Sequence, residues 1–196
     1  MIRFKGCIDD IKTYQTGELP ENAVRIETPR TVDDTMKHAA PIAAVLCLVM
    51  SLTVFAKVFF ARAAIAPAAV VIGFLIGLAL VIVHELLHAV VYPKAASVTV
   101  GKLKGKLIFV ALASFPMPRA RFILMCLLPF VLGLVPLAVF VLSPADAEWL
   151  NGLTFGMACV GMISPFPDVY NVLTVLRKAK RTDCIMFYQD DLYKIG

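Results

Sequence analysis

Apolar residues fall along this chain in four long runs separated by short polar connectors, longer than the core helices of a soluble domain require. The first extends from Pro41 to about Ala61 and is interrupted only by Lys57, which lies near its end and is expected to reach the interface along its aliphatic stem. The second extends from about Ala64 to Tyr92 and the fourth from Trp149 to about Leu176. Between them lies the third, Phe122 to about Leu142, with bends expected at Pro129 and Pro136. At a rise of ~1.5 Å per residue, each run is long enough to cross a bilayer as a helix.

The period changes between the second and third runs. Ser97 to Val100 and Leu107 to Leu112 are rich in strand-forming residues, and the basic, glycine-punctuated segment Gly101 to Lys106 joins them. This predicts a hairpin, seated at the cytoplasmic membrane surface. The first forty residues are polar and mixed in charge, with one alternation from Ala23 to Glu27 that suits a strand. The predicted fold is an all-α membrane protein: four transmembrane helices, with a small β-hairpin between spans two and three. Residues 1–40 form a cytoplasmic N-terminal extension, 41–178 the four-span domain and 179–196 a cytoplasmic tail.

Composition agrees with the pattern. The 196 residues are 60% hydrophobic and only 17% charged, far from the half-apolar, quarter-charged balance of soluble domains. A net charge of +5 would suggest nucleic acid in a soluble protein, but here the basic residues flank apolar runs, so nucleic-acid binding is excluded. The flanks Arg3 to Lys37, Lys94 to Arg121 and Arg177 to Arg181 lie at alternate ends of the spans, whereas Ser143 to Glu148 carries no Lys or Arg. A multi-pass protein of the cell membrane with both termini cytoplasmic is expected. An apolar leader near the start is lacking, so the chain is expected to insert by its own spans. Cys7, Cys47, Cys126, Cys159 and Cys184 have neither disulfide-framework nor zinc-ribbon spacing.

The chemistry concentrates in span two. His84, Glu85 and His88 form HExxH, whose histidines at i and i+4 share one helical face and can both bind one Zn²⁺, with Glu85 as general base on the metal-activated water. Two imidazoles and a carboxylate inside an apolar span are costly unless they coordinate something. A catalytic zinc takes three protein ligands and a water. Asp168 is the only acid between Trp149 and Leu176, and it lies nine residues before Arg177. His88 and His84 lie six and ten residues before Lys94, so helix rise puts all three roughly 9–15 Å below the same face. Pro165 and Pro167 should break span four just ahead of Asp168, an irregularity that suits a site. Capping of the following helix is the alternative role for Asp168. Asn171, one turn further on, can orient that carboxylate, hold a substrate carbonyl, or simply bond another helix. His38, beside Lys37 just outside span one, reads as an interfacial residue.

HELLHA at the cytoplasmic end of a span, a hairpin, further spans and a late Asp-x-x-Asn together resemble the bacterial zincin-peptidase family of membrane proteins. That family is similar in layout to site-2-type intramembrane metalloproteases, and the resemblance covers about residues 64–178. It implies zinc ligands at His84, His88 and Asp168 and a catalytic Glu85. Val169 stands where the site-2 pattern has Gly, and a PDZ-like module is lacking.

The expected function is a zinc-dependent, membrane-embedded peptidase that hydrolyses peptide bonds in or near membrane segments, with membrane proteins or peptides as substrates. The rival reading is a noncatalytic metal-binding scaffold in which zinc joins spans two and four. A metal-ion transporter would need more polar groups along a continuous path. Lys102, Lys104 and Lys106 are expected to touch anionic membrane lipid, and the alternative is that the hairpin's open edge pairs with an extended peptide.

Overall fold

A computed structural model describes residues 1–29, 31–106 and 108–196. Among the described residues seven α-helices run in chain order: α1 Val32–Ala61, α2 Pro67–Ala79, α3 Val81–Val91, α4 Arg119–Leu127, α5 Val131–Leu142, α6 Glu148–Ile163 and α7 Phe166–Lys178. They compose four helices long and apolar enough to cross a membrane, Val32–Ala61, Pro67–Val91, Arg119–Leu142 and Glu148–Lys178. Their interruptions follow from sequence. A 3₁₀ turn at Leu128–Phe130 contains Pro129 and separates α4 from α5, while Pro136 is accommodated inside α5. Ser164 and Pro165 form the turn after α6, and Pro167 falls in the first turn of α7, where its missing N–H has no partner to lose.

The all-α expectation needs correction, because the described residues also form seven strands: β1 Ile2–Ile8, β2 Ala23–Ile26, β3 Val98–Leu103, β4 Phe109–Leu112, β5 Met117–Pro118, β6 Cys184–Tyr188 and β7 Asp191–Ile195. One sheet has the order β1-β3-β4 and the other β2-β7-β6-β5. The expected hairpin is β3–β4, antiparallel with Val100 opposite Ala111. Its first strand runs on through Gly101 to Leu103, with Gly105 at φ +73° in the turn. Gly101 stays in the strand because β1 lies so close alongside that a Cβ would overlap the Lys5 carbonyl. Leu107, where the second strand was expected to begin, lies outside the described residues. The Ala23 alternation does form a strand, β2, and pairs antiparallel with β7. Unanticipated are β1, which runs parallel to β3, and the terminal β6–β7 hairpin.

The chain divides into two compact units. One comprises Met1–His38, Glu85–Leu128 and Pro167–Gly196; the other comprises Ala39–His84 and Pro129–Phe166. The first is built around one apolar cluster that gathers Ala89, Val91 and Tyr92 from the end of α3, Phe122 and Met125 from α4, Val172 and Val175 from α7, and Val98 and Val100 from β3. In the second, α6 packs against α2 and α5 at backbone distance: Gly156 lies on the Val70 carbonyl and Gly133 on Gly161, where a Cβ would not fit. Lys57 also belongs to the second unit. It is buried, and its ammonium donates to the carbonyls of Phe140 and Ser143, to Ser143 Oγ and to Asn151 Oδ1.

The β6–β7 turn has a measurable weakness. Tyr188 pairs with Asp191, and the two residues between them, Gln189 and Asp190, have φ +47° and +71°, the type I′ geometry that favours Asn-Gly. Burial, reinforced by neighbouring Asp191, pushes the Asp190 carboxyl up to about 6. A folded-state value raised above the unfolded one means that the fold holds the extra proton, so this group's contribution to stability declines as pH rises from about 4 to about 6. Replacing Gln189→Asn together with Asp190→Gly should stabilise the protein by roughly 1 kcal/mol. Thermal unfolding in detergent should show a larger gain at pH 7.5 than at pH 4. An equal gain at both would mean that the carboxylate carries no burial penalty.

Candidate metal centre

Helix α3 is a short helix set off from α2 at Leu80, and its sequence VIVHELLHAVV puts His84 and His88 one turn apart on one face. His84, Glu85 and His88 are all buried. Each offers one ligand atom, and these atoms lie within 4.8 Å of one another. His88 is fixed by two further elements. Its Nδ1–H donates to the Met125 carbonyl of α4 at 2.8 Å, and its Nε2 lies 3.5 Å from Asp168 Oδ1. A carbonyl can only accept, so Nδ1 carries the proton. Nε2 then presents its lone pair to a carboxylate oxygen, an arrangement that requires a proton or a metal cation between the two.

The spacing fits a metal. Two ligand atoms bound tetrahedrally to one zinc through bonds of ~2.1 Å stand roughly 3.4 Å apart, against the observed 3.5 Å. A histidine whose second nitrogen is held by a backbone carbonyl is the usual metal-binding arrangement, because that bond fixes both tautomer and ring direction. Asp168 lies in the first turn of α7, inside the helix and past its cap position, where the helix dipole favours a carboxylate. The backbone of Ala111, on β4, neighbours the Glu85 carboxylate. The ends of both site helices are clamped by the first turn of α4: Arg121 Nε donates to the Val91 carbonyl of α3 at 2.6 Å, and Arg119 donates to the Leu176 carbonyl of α7 at 3.3 Å.

Of the residues singled out in the sequence, His84, Glu85 and His88 are thus clustered, and Asp168 meets His88. Asn171 follows one turn later on α7 and is half-buried. His38 takes no place in the cluster; its Nδ1–H bonds the Asp34 carbonyl one turn back in α1 at 2.7 Å. The contributions that sequence reasoning missed are those of Met125, Ala111, Arg119 and Arg121. Two of these act through backbone atoms, which carry no residue signature.

The profile of a family described as "Putative zincin peptidase" matches residues 77–184, more than half of the chain. The chain belongs to this family. The matched segment of the zincin-peptidase family runs from the end of α2 through the HExxH helix, the β3–β4 hairpin and α7. It contains His84, Glu85, His88 and Asp168, and the family implies zinc as the metal and a metallopeptidase as the enzyme class. Comparison with curated proteins and with solved structures gives no match.

If these side chains hold the metal, purified protein contains about one zinc per chain, and both His84→Ala and His88→Ala lose it. Asp168→Asn keeps the shape but removes the charge opposite His88, so zinc affinity measured against a competing chelator should fall at least tenfold. Wild-type affinity in that variant would assign the third ligand elsewhere.

Proposed function

We propose that this zincin-family chain is a zinc-dependent, membrane-embedded peptidase that hydrolyses peptide bonds in or near membrane segments. The observation that carries the reading is the His88 side chain, held in its metal-binding tautomer by Met125 with Asp168 at ligand distance and Glu85 on the same helix. In this reading His84, His88 and Asp168 hold zinc. The bound metal would supply Lewis acidity, bringing the pKa of a water to ~7 and polarising the scissile carbonyl. Glu85 takes the proton from the attacking water and passes it to the leaving amine. The backbone of Ala111 neighbours that carboxylate, and Asn171 orients Asp168 or holds a substrate carbonyl.

A peptide in a membrane helix has its carbonyls engaged, so a substrate must be extended before Glu85 can act on it. Strand β4 is an outer strand of its sheet, and its Ala111 contacts Glu85. An unwound segment adding to that edge would be laid out beside the general base. Both termini face the cytoplasm in this reading, as the distribution of basic residues favours.

Glu85→Gln separates the peptidase from a scaffold in which zinc merely joins spans. The amide cannot take up the water proton, so hydrolysis of a reporter substrate in proteoliposomes should fall about 100-fold or more while zinc content stays at the wild-type level. A scaffold would show no zinc-dependent hydrolysis to lose. Topology has its own test, made after replacing the exposed Cys7 and Cys47. A cysteine at Ala147 should react with an impermeant reagent in intact cells, and one at Lys104 only after lysis. The opposite labelling would invert the orientation.

A further inference from the structure

Strand β1 is an edge strand whose apolar side chains are left uncovered. Ile2 and Phe4 are opposite Val98 and Val100 of β3 and share their face of the sheet. Val98 and Val100 are 1% and 3% exposed because that face lies on the apolar cluster at the ends of α3 and α4. Phe4, on the same face, is 71% exposed, with Ile2 at 38% and Met1 at 70%. The apolar surface that covers the helix ends therefore continues past them. The opposite face of β1 carries Arg3 and Lys5, and the strand contains no acid.

The level of this sheet is marked by Lys106, in the turn after β3, which pairs with Asp33 in the first turn of α1. The sheet is thus tied to the beginning of an apolar helix that is long enough to cross the membrane. The ammonium of Met1 donates to the Ala96 carbonyl at 2.6 Å, fixing the start of β1 just beyond α3. An aromatic ring between basic residues at that level has the chemistry of an interfacial anchor.

We propose that β1 docks on the anionic headgroup layer of the membrane, with Phe4 and Ile2 entering the interface and Arg3 reaching phosphates around the open edge of the strand, while Lys5, bonded to Tyr14 Oη, adds positive charge beside it. A second copy of the chain is the other occupant that an edge strand could take. Antiparallel pairing of two β1 strands would set Arg3 and Lys5 of one copy against those of the other, whereas an anionic lipid surface complements them. The inference rests on reading the apolar helices as membrane spans and is independent of the peptidase reading.

The test uses Phe4→Trp in a Trp149→Phe background, which leaves one tryptophan, in nanodiscs of mixed phosphatidylcholine and phosphatidylglycerol. Docking predicts blue-shifted emission, with quenching by lipids brominated near the headgroup several-fold stronger than by aqueous iodide. Adding Arg3→Gln and Lys5→Gln should reduce the lipid quenching more in discs containing phosphatidylglycerol than in discs without it. Red-shifted emission quenched mainly by iodide would place Phe4 in water and overturn the proposal. Blue-shifted emission insensitive to brominated lipid and growing with the number of chains per disc would assign the strand to a second copy, and overturns it equally. An unchanged circular-dichroism spectrum and elution volume in each variant show that the fold is intact.

Discussion

The organisation of this protein depends on the cost of putting two imidazoles and a carboxylate into an apolar helix. In apolar surroundings each of those polar atoms must meet a partner, and α3 has none to give, because its own backbone bonds are internal and its other side chains are apolar. The partners come from outside: Met125 from α4, Ala111 from β4 and Asp168 from α7. Three separate elements must therefore close on the second half of α3. The apolar cluster that gathers α3, α4, α7 and β3 achieves that closure. Arg119 and Arg121 then bind the carbonyl ends of α7 and α3, where cations favour the helix dipoles.

Lys57 shows the same constraint met without any ligand-binding consequence. Its ammonium is a donor only, and every group it reaches is an oxygen acceptor, including the carbonyls at the end of α5 and fully buried Asn151. Donors facing acceptors make a closed structural network. At His88 the logic differs, since an imidazole nitrogen and a carboxylate oxygen converge from two helices and need a proton or a metal cation between them. Acceptors that converge call for a cation. The contrast distinguishes polar burial that holds helices in place from polar burial that prepares a site, and it depends on hydrogen-bond polarity more than on the number of polar residues.

What could be read in the sequence was whatever is periodic or rare. The spans are legible because twenty apolar residues in succession have few other uses, and HExxH because charged groups in such a run are seldom tolerated. The proline break ahead of Asp168 could be placed because proline acts on its own backbone. Strands β1, β6 and β7 were not legible. Each is short, and β1 is specified by pairing with β3, almost a hundred residues further on, so neither strand alone encodes the ladder. The turn at Gln189 and Asp190 conceals its hairpin further, since it lacks the glycine that usually marks that geometry. The partners of Lys57 were not legible either, because the carbonyl ends of a distant helix are invisible in sequence.

The β3–β4 hairpin combines these themes. Non-helical backbone beside a buried site is tolerated only if its own N–H and C=O groups are satisfied, and among the described residues pairing with β1 and β3 leaves the free side of β4 unpaired within the sheet. That free side would be a liability in a soluble sheet. Here the backbone of Ala111 puts part of that strand beside the Glu85 carboxylate. A hairpin between the second and third spans is consequently more than a connector, because a helix in its place would have its amides engaged internally and none to offer Glu85.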